Sequence, residues 1–155
     1  MSRLIYSLLM IGLFLAACEE DKSVVNRFDG DMVISSGYIC GWCAGADSLF
    51  LENGTYSYIA YGQCSPEAIV DKSGQVTQAQ WEELLQGFDF DDFASIEINT
   101  CNVCVDGCDY WVEIKHGEEI YKISFGHSPQ DSAAIAPILP FIEKLDELKA
   151  ELTAE

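Results

Sequence analysis

Residues 48–61, SLFLENGTYSYIAY, decide how the chain folds. Asn53-Gly54 sits at the centre, and Asn-Gly is the strongest two-residue hairpin signal because both residues tolerate the positive φ of a type I′ turn. The turn fixes the register. Leu51 faces Tyr56 and Leu49 faces Tyr58, which places four apolar side chains on one face, as a half-buried strand pair requires. Carried outward, the same register sets Cys43 opposite Cys64 as a non-hydrogen-bonded pair. Cα atoms at such a position lie about 4.5 Å apart, within disulfide range, so a Cys43–Cys64 bond is expected.

The flanking segments extend the pattern. A first strand is expected over Met32 to Ser36. Thr77 with Gln80 forms a capping box, and Trp81, Leu84, Leu85 and Phe88 follow at helical spacing, so a helix is expected over Thr77 to Phe88, weakened at its end by Gly87. Phe88, Phe90 and Phe93 read as core, and the interleaved Asp89, Asp91 and Asp92 as solvated. Ser95 to Asn99 reads as a lone middle strand. A second hairpin spans about Asp109 to Phe125. With His116-Gly117 as turn residues, Val112 faces Tyr121, Tyr110 faces Ile123, and Cys108 faces Phe125. Ser128 to Ala134 reads as a polar loop. A last helix runs roughly from Pro140 to Leu152, with Pro tolerated at its first position. The fold class is α+β: an antiparallel sheet from two hairpins and a first strand, with two helices on one face.

With 155 residues, a single domain is expected. Residues 1–17 read as a targeting segment: Arg3 supplies a positive end, and Leu4 to Ala17 is apolar but too short to span a bilayer, which needs about 20 apolar residues. Leu15-Ala16-Ala17-Cys18 resembles the lipobox of bacterial lipoproteins. That resemblance implies cleavage before Cys18 and acylation there, so the chain would join the membrane through lipid, palmitate included. Residues 18–30 then form an acidic linker, and 31–155 the domain. Glu19-Glu20-Asp21 resembles the surface-export signal of lipoproteins in some Gram-negative lineages, which implies an outer-membrane lipoprotein displayed on the cell surface rather than on the periplasmic side. From Cys18 onward the chain keeps seven of its eight basic residues and all 26 acidic ones, a net charge of −19. Such a field repels nucleic acid and anionic headgroups, which excludes a nucleic-acid partner.

Cys40, Cys43, Cys64, Cys101, Cys104 and Cys108 follow Cys18. An even number in an exported chain argues for a disulfide framework. The two C-x-x-C pairs match structural zinc spacing, but an oxidising compartment favours disulfides, and no metal or other cofactor is expected. Asn99, Asn102, Asp106 and Asp109 bear clustered oxygens without an EF-hand spacing, and a turn on Asp106-Gly107 accounts for them. Cys40-Gly41-Trp42-Cys43 resembles the thioredoxin-type redox motif. It leads into a hairpin rather than a helix, so a thiol–disulfide oxidoreductase stands as the alternative to a non-catalytic binding domain. No G-x-S-x-G elbow occurs, and neither His116 nor His127 has a nucleophile beside it in sequence. Trp42, Trp111 and Tyr38 are the candidate binding residues, with an envelope protein or glycan as partner.

Met32 to Leu152 resembles a family of small bacterial secreted and lipoprotein domains of unknown function. The matching pieces are Cys40-Gly41-Trp42-Cys43, Leu51-Glu52-Asn53-Gly54, Leu84-Leu85 with Phe93, Asp106-Gly107-Cys108, and Pro140 to Leu148. The resemblance implies the α+β fold and an envelope location, and it transfers no catalytic residue.

Overall fold

The computed structural model describes residues 32–154. The lipobox cysteine, Cys18, and the acidic run after it lie outside the described residues. Among the described residues, six strands form one antiparallel sheet: β1 (Met32–Cys40), β2 (Ala46–Glu52), β3 (Thr55–Tyr61), β4 (Ala68–Gln75), β5 (Cys108–His116) and β6 (Glu119–Phe125), in the order β4-β3-β2-β1-β5-β6. Four α-helices among the described residues complete the α+β domain: α1 (Gln78–Leu84), α2 (Phe90–Ala94), α3 (Pro129–Ala134) and α4 (Leu139–Thr153). No described helix is long and apolar enough to cross a membrane.

Central β1 sets the layering, because it pairs with both β2 and β5. Its even-numbered residues Ile34 and Ser36 face the core together with Leu49, Leu51, Val112, Ile114 and Ile123. Buried residues of α1, α2 and α4, among them Trp81, Leu84, Phe93, Phe141 and Leu145, join these strand residues in one cluster. The opposite side chains of the sheet include Ile39, Phe50 and Tyr61, all well exposed.

The first hairpin has the expected register, with Leu51 opposite Tyr56 and Leu49 opposite Tyr58. Asn53 and Gly54 have φ of 49° and 74°, as a type I′ turn demands. The second hairpin differs. Its turn is Gly117-Glu118, and Val112 faces Ile123, Tyr110 faces Phe125, and Ile114 faces Tyr121. Gly117 has φ of 62° while Glu118 is not among the positive-φ residues, the pattern of a type II′ turn with glycine first. Pairing is thereby displaced by two residues. Side-chain alternation has a period of two, so every residue keeps its face.

Four other expectations are corrected. Ser95–Asn99 is not a strand; only Asn99 makes a single parallel bridge, to Ser124 on the outer edge of β6. Ser128–Ala134 is helical from Pro129, because the Ser128 hydroxyl accepts from the Asp131 N–H at 3.0 Å. Asp89 does more than meet solvent: its carboxylate caps α2 by accepting from the N–H groups of Asp91 and Asp92. Helix α1 has the Thr77–Gln80 capping box but ends at Leu84, short of Phe88, with Gly87 at φ 78° beyond it. In addition, β4 is a strand that no sequence pattern marked.

Candidate functional site

Both hairpin turns lie at one end of the sheet, and the longer connections 41–45, 62–67 and 99–107 lie at the other. All six cysteines among the described residues gather at this second end in three disulfides. Cys40 pairs with Cys108, its register partner across β1 and β5, with Cα atoms 4.0 Å apart. Cys43 pairs with Cys64 at 4.4 Å, as the hairpin register led one to expect. The route to that pair is not a continued ladder, however. Regular pairing of β2 with β3 stops at Ala46 and Tyr61. Cys43 and Cys64 then take left-handed φ of 58° and 53°, and the Cys64 N–H donates to the Cys43 carbonyl at 3.0 Å. Cys101 and Cys104 close the third disulfide, at 5.3 Å.

These pairings bear directly on the C-x-x-C motifs. Cys40 and Cys43 belong to two different cross-links, so the segment that resembles a redox motif does not close on itself; the 101–104 segment does. Among the described residues, no group of three or more His, Cys, Asp or Glu side chains is arranged to hold a metal ion.

Trp42 sits between the first two cross-links and is 81% exposed. Its φ is 49°, and that of the next residue, Cys43, is 58°. Two successive non-glycine residues in the left-handed region are strained, at about 1–3 kcal/mol each, and such strain persists only where surrounding structure imposes it. Here it is imposed from every side. Cys40 N–H donates to the Gly45 carbonyl at 3.0 Å, Ala44 N–H to Gly41 at 3.0 Å, and Gly41 N–H to Gly107 at 2.9 Å. A Cβ at Gly41 would lie 2.9 Å from the Asp106 Cα and 3.0 Å from the Val103 carbonyl, so the two loops meet backbone against backbone. Val105, 77% exposed, stands on the second of these loops. Loops 41–45, 62–67 and 101–107 contain no Lys, Arg or His, and their acids are Glu67 and Asp106. The end is thus apolar at its tip and negative at its margin.

Asp109 holds the third loop. Its buried carboxylate accepts from the Thr100 hydroxyl at 2.6 Å, from the Asn102 N–H at 3.0 Å and side-chain amide at 2.9 Å, and from the Val103 N–H at 2.9 Å. Burial pushes its pKa up, but these hydrogen bonds, led by Thr100, outweigh burial and leave it below the ordinary carboxylate value. Of the residues that looked like candidate calcium ligands, Asp109 thus braces the loop and Asn102 donates to it, while the Asn99 Oδ1 accepts from the Ser124 hydroxyl. A depressed folded pKa contributes stability that is present above the unfolded value of about 3.9 and is lost as pH falls through the folded one. Asp109→Asn is expected to lower unfolding free energy by about 3 kcal/mol at neutral pH, since it leaves a buried donor facing donors. Urea unfolding at pH 7 and again near pH 3 checks this: the gap to the parent should shrink in acid, and a constant gap would refute the brace.

Trp111 and Tyr38 do not join Trp42 in one site. Trp111 is half-buried on the face opposite the core, its ring against Gly37, where an added Cβ would come 3.0 Å from it. Lys122 sits over the same ring at 4.8 Å. Tyr38 points to the other face, beside Tyr110 at 6.2 Å. The histidines are also apart: the His116 ring is tilted against Phe90 by the tight turn, and His127 meets Tyr110 edge-on at the loop end. Sequence reading missed Val105, because one apolar residue between two cysteines carries no periodicity.

No protein-family model matches the chain, and no curated protein matches it significantly.

Proposed function

We propose that the chain is an exported envelope lipoprotein, lipidated at Cys18 and held at the outer membrane with its domain towards the cell surface. The disulfide-stapled domain acts as a non-catalytic binding module for another envelope component, a protein or a glycan. One observation carries the binding reading: Trp42, fully presented to solvent on a strained, cross-linked turn. Tryptophan is over-represented where binding energy concentrates, and a rigid presenting loop loses little entropy on association. In this reading the helices cover one face of the sheet, so that the loop end and the face of Ile39, Phe50 and Tyr61 stay open. The disulfides support an oxidising location, and the lipobox supports the anchor.

Two experiments test the proposal. Cys18→Ala should abolish incorporation of a clickable palmitate analogue and release the protein from the membrane fraction; retained label would end the lipoprotein reading. Trp42→Ala should leave the unfolding midpoint within about 2 °C of the parent, because surface residues contribute within about 0.5 kcal/mol. In cells, a photoreactive residue at position 42 should give a discrete adduct, or retain the protein on purified cell-wall polysaccharide, where one at Glu118 does neither. Equal behaviour at both positions would remove Trp42 as the contact.

A further inference from the structure

Of the two C-x-x-C segments, only 101–104 closes on itself, with a sequence separation of 3. Cys101 and Cys104 are both exposed. Cys40 and Cys108 are half-buried and join neighbouring strands, while Cys43 and Cys64 join two loops. An exposed disulfide within a C-x-x-C segment is the kind that exchanges with thiols. The fold adds a second reason. By linkage, a folded chain resists the opening of a disulfide by as much as that disulfide stabilises the fold. The stabilisation grows with the length of the closed loop, so folding protects Cys101–Cys104 least of the three.

The loop keeps its shape without the bond. Asp109 holds Thr100, Asn102 and Val103 through its carboxylate. The Thr100 N–H donates to the Ser124 carbonyl at 3.0 Å, and the Gly107 N–H to the Asn102 carbonyl at 2.7 Å. Between these anchors runs a 3-10 turn over Asn102–Val105, and the Cys104 N–H donates to the Cys101 carbonyl at 3.1 Å. None of these hydrogen bonds involves sulfur. Two thiols formed here stay side by side, and the disulfide can form again.

We propose that Cys101–Cys104 is a redox-active couple whose substrate is the dithiol of a thioredoxin-type protein. A thiolate of the donor attacks one of the two sulfurs. The Cys101–Cys104 bond breaks, a mixed disulfide forms, and the other cysteine leaves as a thiolate that takes a proton. The donor's second thiol then attacks the donor sulfur of the mixed disulfide and frees the remaining cysteine as a thiol. The donor dithiol is oxidised to its disulfide, and the Cys101–Cys104 disulfide is reduced to two thiols. Redox chemistry is thereby assigned to the second C-x-x-C segment and not to Cys40 and Cys43. It is independent of binding at Trp42 and stands or falls separately from it.

The test uses the full chain with its disulfides intact, together with thioredoxin, its NADPH-dependent reductase and NADPH. Under native conditions about one equivalent of NADPH should be consumed per chain, the demand of a single disulfide. Alkylation followed by peptide mass spectrometry should place the new thiols at Cys101 and Cys104. A thioredoxin with its second cysteine replaced by serine should be trapped as a mixed disulfide on the same peptide. With dithiothreitol in place of thioredoxin, each bond is reduced once in buffer and once in urea. Folding should slow the reduction of Cys101–Cys104 at least about fivefold less than that of Cys43–Cys64, as the two loop lengths require. No NADPH consumption by the native chain, thiols appearing first at Cys43 and Cys64 or at Cys40 and Cys108, or equal protection of all three bonds would each overturn the assignment.

Discussion

Replacing Cys40 and Cys108 together by alanine is expected to lower the unfolding free energy by about 4 kcal/mol, the largest loss among the three disulfides. The bond closes a loop with a sequence separation of 68, against 21 for Cys43–Cys64 and 3 for Cys101–Cys104. A cross-link acts mainly on the unfolded chain, and its effect grows with the logarithm of loop length; the other two pairs should then cost about 3 and about 2 kcal/mol. The folded state should change little. Cys40 and Cys108 are register partners at the ends of β1 and β5, and the ladder from Met32 opposite His116 up to this pair holds without them. Both cysteines are removed together so that no free thiol is left to exchange. Urea unfolding of the three double variants measures the order. If the Cys101–Cys104 variant lost as much as the Cys40–Cys108 variant, loop closure would not be what this staple contributes, and strain or native contacts would have to replace it.

What the sequence could reveal follows from how local each decision is. The first hairpin was legible to the residue because Asn53-Gly54 admits one turn geometry. The second was legible only by face: His116-Gly117-Glu118 offers a single glycine, and whether it takes the first or second turn position shifts the pairing by two without moving Val112, Ile114 or Ile123 out of the core. The edge strand β4 carries no alternation, since much of it meets solvent, so nothing in its pattern distinguished it from a loop. Disulfides divide the same way. Cys43–Cys64 followed from a local turn, whereas Cys40–Cys108 requires the pairing of β1 with β5, strands far apart in the chain. At the loop end, Trp42 was readable as a candidate. Its exposure was not, because it is set by two cross-links and a backbone contact with Gly107 that no spacing encodes.

The second large effect is expected at Asp47, on the core face of β2. Asp47 is 7% exposed, and its carboxylate accepts from the Tyr38 N–H at 3.1 Å, the Tyr58 hydroxyl at 3.1 Å and the Lys149 ammonium at 3.2 Å. The Tyr58 phenol is pushed up to about 12, by burial first and then by the charge and hydrogen bond of Asp47, which keeps it a donor throughout the physiological range. The stability this lends is complete below the unfolded tyrosine value of about 10 and is lost as pH rises through 12. Lys149→Met keeps the length of the side chain and removes its charge, leaving Asp47 buried with two neutral donors and no counter-ion. Removing one partner of a buried pair costs about 3–5 kcal/mol, whereas replacing both with uncharged groups is often near neutral. Lys149→Met alone should therefore cost at least about 3 kcal/mol. Adding Asp47→Asn should restore most of that, because the amide oxygen can still accept from the Tyr38 N–H, the Tyr58 hydroxyl can turn to accept from the new amide nitrogen, and no charge is left to desolvate. A double-mutant cycle by urea unfolding at pH 7 reads the coupling. Strict additivity of the two changes would mean that Lys149 stabilises α4 only by packing its stem, with no electrostatic tie between the helix and β2.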